Sequence, residues 1–141
     1  MVERRPLGNI LVPIDFSEGA RLALERACRL PLTPGCALTL LHILPKLHPS
    51  FFTRADQAAR AALETWAQQA RTRVAPNVDV FVAVEAGEPF VAIGHRADGE
   101  RAELIVLGRH GRRTWPREAL GSTAERVLRH GRTAALVVSD P

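Results

Sequence analysis

With 141 residues, 46% of them hydrophobic and 24% charged, the chain is long enough to build one domain around its own core and too apolar for disorder. No apolar run approaches the roughly 20 residues of a membrane-spanning helix. Nineteen basic residues face 15 acidic ones, a net charge of +4. Between Gly108 and Arg132, Arg109, Arg112, Arg113, Arg117, Arg126, Arg129 and Arg132 stand against Glu118 and Glu125, a local charge of +5, which leaves −1 for the rest of the chain.

The opening Met1-Val-Glu-Arg-Arg-Pro leads into a short Ile10-Leu11-Val12 run broken by Pro13 and Asp15, which is no secretory signal. The expected location is the cytoplasm. Cys28 and Cys36, eight apart with no partnering His pattern, then read as free thiols, with Cys28 inert in a helix and Cys36 the more exposed.

Asn9–Ile14 reads as a buried strand, and Ser17–Leu30 as a helix with Ala20, Ala23, Leu24 and Ala27 on one face and Asp15 or Ser17 as its cap. Pro31, Pro34 and Gly35 end it, and Ala37–Leu44 is a second strand. Pro45–Thr53 reads as a loop. Arg54–Val74 follows as a long helix with a stripe of Ala55, Ala59, Ala62, Trp66 and Ala70. Val78–Val84 is a third strand, and Gly87-Glu88-Pro89 opens a shorter helix with Pro where no donor is lost. Glu103–Leu107 is a fourth strand, Gly108–Leu120 a polar connection, Ser122–His130 a helix and Ala134–Val138 a fifth strand.

Continuous apolar strands alternating with helices imply a parallel sheet covered on both faces. The expected fold is a doubly wound, Rossmann-like α/β domain of five strands filling residues 1–141. Ligands of such sheets lie beyond the carboxyl ends of the strands, where the winding reverses. The chemistry is therefore expected at Asp15, His42–Pro45, Ala86–Pro89 and Gly108–Thr123.

The last of these loops is the most specific. Gly108-Arg109-His110-Gly111 closes the fourth strand, and nine residues later Gly121-Ser122-Thr123 opens a helix. Glycines let backbone N–H groups approach an anion, a helix start adds unpaired donors and partial positive charge, and the hydroxyls add two more donors. Neither a phosphate-loop lysine motif nor a dinucleotide fingerprint is present. Ser122-Thr123-Ala124-Glu125 also fits a capping box that needs no ligand. The residues alone leave both readings open.

The chain resembles the universal stress protein family over nearly its whole length. The resemblance is carried by Asn9-Ile-Leu-Val-Pro-Ile-Asp-Phe-Ser-Glu18, Leu41-His42-Ile43, Gly87-Glu88-Pro89 and Leu104-Ile-Val-Leu-Gly-Arg-His-Gly111. It also rests on the spacing G-x2-G-x9-G-[ST] at Gly108, Gly111, Gly121 and Ser122. The resemblance implies the adenine-nucleotide α-hydrolase-like fold and an ATP, ADP or AMP site. Pro13 and Asp15 would lie at the adenosine end and Ile43 would read adenine through its backbone. Leu107, Gly108, His110 and Gly111 would run along the ribose and phosphates, and Gly121, Ser122 and Thr123 would hold the phosphates. It also implies a homodimer through Ala134–Val138, an apolar edge that would otherwise be a liability.

Asp15 is a candidate ribose or adenine acceptor and a candidate Mg²⁺ ligand beside phosphates. His110 reads as a binding residue, His42 as a structural residue near the site, and His48, His95 and His130 as surface. Arg109, Arg112, Arg113, Trp115, Pro116 and Arg117 make the loop more basic than a plain Gly/Ser version, with reach toward outer phosphates or simple solvation as the two readings. Three functions follow in order: a nucleotide-binding stress or regulatory module acting on a protein partner, a slow ATPase or a protein autophosphorylated on Ser122 or Thr123, and a nucleic-acid binder through the arginines. The second lacks a convincing base, and the third lacks stacking aromatics.

Overall fold

The computed structural model describes residues 6–111 and 120–139. Within them nine elements alternate: β1 (Ile10–Pro13), α1 (Glu18–Cys28), β2 (Ala37–Leu44), α2 (Pro49–Arg71), β3 (Asp79–Ala86), α3 (Pro89–Glu100), β4 (Leu104–Gly108), α4 (Ser122–His130) and β5 (Ala134–Val138). The strands form one parallel sheet in the order β3-β2-β1-β4-β5. The chain steps from β1 outward to β3, crosses back, and steps from β4 to the other edge. Right-handed crossovers taken in opposite directions place their helices on opposite faces. Two cores result. Ala23, Leu24 and Ala27 of α1 and Leu63 and Ala67 of α2 pack with Ile10, Val12, Leu38 and Leu40. Ile93 and Ala97 of α3 and Ala124 and Val127 of α4 pack with Leu11, Leu41, Ile105 and Leu107. No helix among the described residues is long and apolar enough to cross a membrane.

The doubly wound expectation holds, and β2, α4 and β5 have the expected bounds. Other boundaries move. The expected loop at Pro45–Thr53 ends at His48, because α2 starts at Pro49. Proline loses no helical bond there, and the His48 ring accepts from the Ser50 amide at 3.2 Å. Histidine is an uncommon cap, so the start is inconspicuous in sequence. Of the expected α2 stripe, Ala59 and Ala70 are buried, Ala55 and Trp66 are half-buried against the core and Ala62 is exposed, while Leu63 and Ala67 complete the buried face. Alanines on every face of this helix carry no amphipathic signal, and Leu63, fully buried, sets the orientation. Cys36 is buried at 6% exposure, not the more exposed thiol. It packs in the same core as Cys28, and burial pushes both thiols up, away from the reactive thiolate.

The two edges of the sheet differ. At β3, Arg71 Nη2 donates to the Val80 carbonyl at 2.7 Å. β5 presents Ala-Ala-Leu-Val-Val, whose residues are half-buried apart from the exposed Ala134.

One close approach joins α1 to the end of β4. A Cβ on Gly108 would lie 2.5 to 2.8 Å from the backbone of Gly19, and a Cβ on Gly19 would lie 2.5 Å from the His110 carbonyl oxygen. Backbone cannot yield as a side chain does, so only glycine fits at both positions. Gly94, inside α3, meets nothing within 4 Å. Gly108→Ala is expected to destabilise the fold by about 2 kcal/mol through overpacking. Gly94→Ala should stabilise it by up to about 1 kcal/mol through helix propensity. Chemical denaturation checks both; equal midpoints for the two variants would refute the tight contact.

Candidate functional site

The strand order reverses between β1 and β4, and a cavity of about 220 Å³ opens beyond their carboxyl ends. From β1 and its turn come Pro13, Ile14, Asp15 and Ser17; from β2, His42 and Ile43. β4 and its loop add Leu107 through Gly111, α3 adds Pro89 and Ile93, and α4 adds Ser122, Thr123 and Ala124 behind Gly121. All ten residues expected in the site therefore line one cavity: Pro13, Asp15, Ile43, Leu107, Gly108, His110, Gly111, Gly121, Ser122 and Thr123.

The turn after β1 is held by a short chain of bonds. Ser17 caps α1, accepting from the Ala20 amide at 3.1 Å, and Asp15 Oδ1 accepts from the Ser17 amide at 3.0 Å. Ser17 is thus the cap, and Asp15 braces it. Phe16 takes the left-handed conformation at φ 62°, an uncommon place for a bulky side chain. Its ring lies 4.8 Å from His42 and edge-on to Trp66 at 5.5 Å. His42 Nδ1 is 2.7 Å from the Ile14 carbonyl oxygen, which can only accept, so the ring donates from Nδ1. His42 therefore ties β2 to the end of β1 and lines the cavity as well.

Across the cavity, Arg109 donates its amide to the Val138 carbonyl at 3.0 Å and accepts from the Gly121 amide at 2.8 Å. This folds the Gly108–Gly111 loop against the start of α4. A Cβ on Gly111 would sit 2.6 Å from Asp15 Oδ2, so the Asp15 carboxylate faces this loop. Gly108 has a packing reason of its own, the contact with Gly19.

The helix starts separate the open readings. Ser17 caps α1, His48 caps α2 and Glu88 caps α3 with their side chains. The cap of α4 is Gly121, with no side-chain hydrogen bond. Ser122 is thus inside the helix and not a cap, so the capping-box reading fails. The α4 start, whose first-turn N–H groups have no partner within the helix and which carries partial positive charge, borders the cavity.

The reading of sequence missed Gly19, Ile93 and Ala124. Gly19 carried a signal, a glycine early in a helix of good formers; Ile93 and Ala124 look like any core positions. His48, His95 and His130 are exposed, as expected, and line no part of this cavity. Among the described residues no three His, Cys, Asp or Glu side chains gather as a metal site. Arg112, Arg113, Trp115, Pro116 and Arg117 lie outside the described residues.

The sequence profile of the universal stress protein family matches residues 6–139. Universal stress protein Sll1388 of Synechocystis is 30% identical over 149 residues, spanning 93% of this chain and 97% of its own. The solved structure of UspA from Lactobacillus plantarum is similar at a TM-score of 0.76 and 28% identity, over 96% of this chain and 99% of that one. A universal stress protein in complex with cAMP is similar at 0.73 and 22%, over 97% and 100%. An Arabidopsis thaliana family protein with AMP bound is similar at 0.64 and 15%, over 95% and 92%; these last two likenesses are evidence of fold. With its profile matched almost end to end over this five-stranded parallel sheet, the chain belongs to the universal stress protein family.

Proposed function

We propose that the cavity is an adenine-nucleotide site and that the protein is an ATP-binding regulatory member of its family. The observation that carries this reading is the convergence of the ten expected residues on one cavity at the strand-order reversal, beside a helix start whose cap residue is a glycine. Pro13, Ile43 and Leu107 supply apolar surface for adenosine, with the Ile43 backbone as the reader of the base. The Gly108–Gly111 loop, His110, Ser122, Thr123 and the first turn of α4 supply donors for phosphates. Asp15 accepts from the ribose or base, or joins phosphate oxygens around Mg²⁺, which needs only one or two carboxylates in such sites. Family members with cAMP and AMP bound support the ligand class.

Binding is favoured over hydrolysis. Among the described residues that line the cavity Asp15 is the one carboxylate, and the Ser17 amide already engages it. Regulation then requires different nucleotide affinities in two states of the protein or its complexes. The second copy of the chain is expected at β5, the apolar strand at one edge of the sheet. The buried neutral thiols suit a reducing cytoplasm.

Thermal melting with ATP and Mg²⁺, AMP or cAMP tests the ligand. Saturation at 100 times Kd stabilises by about 2.7 kcal/mol, an upward shift of several degrees for a domain of this size. No shift with any adenine nucleotide at millimolar concentration would sink the reading. In Gly111→Val the new side chain meets the Asp15 carboxylate and not backbone. The ligand-free melt should stay near wild type while the nucleotide shift disappears; a retained shift would move the site elsewhere. Light scattering is expected to give twice the 15.4 kDa of one chain; a monomer mass would refute pairing through β5.

A further inference from the structure

Two helices border the nucleotide cavity on its α3/α4 side: α3 through Pro89 and Ile93, α4 through Ser122, Thr123 and Ala124. One residue before Pro89, Glu88 caps α3 by accepting from the Val91 amide on Oε2 at 3.0 Å. Its other oxygen accepts from Arg126 Nη1 at 2.7 Å. Arg126 lies on α4, three residues beyond Thr123, and its guanidinium carbon stands 4.7 Å from the centroid of the Phe90 ring. A single carboxylate thus starts one wall helix and grips the other, and the gripping arginine lies over the second residue of α3.

The pair is about half exposed, 47% for Arg126 and 45% for Glu88. An exposed pair adds little to global stability and is screened by salt within a Debye length of about 10 Å at 0.1 M. Its geometric consequence is larger than its stability consequence, because it ties the cap of α3 to α4 one turn behind the residues that border the cavity.

We propose that Arg126 and Glu88 form a positioning clamp that sets the separation of the α3 start from α4, and so makes nucleotide affinity depend on ionic strength through the protein itself. This rests on the nucleotide reading of the cavity. Arg126 thereby has a role in the basic window that does not require contact with phosphate.

Calorimetric titration of ATP with Mg²⁺ at 50 and 500 mM NaCl tests the clamp. Arg126→Met keeps the apolar stem and loses the pair. Glu88→Gln keeps a cap acceptor and loses the charge. Each is expected to weaken ATP binding by about 1.5- to fivefold at low salt, the range of an exposed pair. The double variant should be no weaker than either single, and Arg126→Lys should bind within about twofold of wild type. At 500 mM NaCl the ratio of variant to wild-type Kd should fall toward one, which a packing role would not produce, and the ratio cancels the ligand's own salt dependence. Hydrogen exchange at the α4 first turn without nucleotide should be faster in Arg126→Met. Wild-type affinity in both singles, single effects that add in the double, or unchanged exchange would overturn the clamp. A wild type that binds ATP beside unaffected variants removes the clamp alone; a wild type that binds no adenine nucleotide removes the site and the clamp together.

Discussion

The contact of Gly19 with Gly108 is the constraint on which the cavity depends. Two backbones meet there with no side chain between them, which brings the first turn of α1 against the end of β4. The same region holds the Asp15 carboxylate against Gly111. The reversal of strand order opens a gap at this point in any doubly wound sheet. The two glycines decide how wide that gap is on the α1 side. On the α3/α4 side the Glu88–Arg126 bridge sits in the corresponding place, made of side chains and open to solvent. One boundary is therefore rigid and the other adjustable.

Electrostatics follow from the helix ends as much as from the arginines. Three of the four described helices have their first turns satisfied by Ser17, His48 and Glu88. Their dipoles are answered internally. The α4 start has Gly121 as its cap, which offers no side-chain acceptor. A net charge of +4 first reads as general basicity. With Arg126 bound to Glu88 and Arg129 to Glu125, part of that charge is neutralised locally.

The strained turn at Phe16 belongs to the same region. Its positive φ is held by ring contacts with His42 and Trp66 and by the bonds of His42 and Asp15 on either side. Strain of this kind persists only where the surroundings over-determine it. Two of those surrounding residues, Asp15 and His42, also line the cavity.

The sequence by itself determined the class of the fold and the loops that line the cavity. Apolar runs alternating with helical patterns dictate a covered parallel sheet, and glycine spacing with Pro-x-Asp-x-Ser names the loops that meet, because both signals are local. Only the tertiary structure decided the rest. Whether Ser122 caps α4 depends on the path of the chain into the helix, so the capping box was legible but ambiguous. The buried face of α2 depends on Leu63, since alanines point equally well in any direction. The burial of Cys36 and the need for Gly19 arise from neighbours far away in the chain. The bridge from Glu88 to Arg126 spans 38 residues, and nothing in local pattern pairs them. Periodicity and motif report what a segment does with itself; close approach, burial and long-range pairing exist only once the segments are packed.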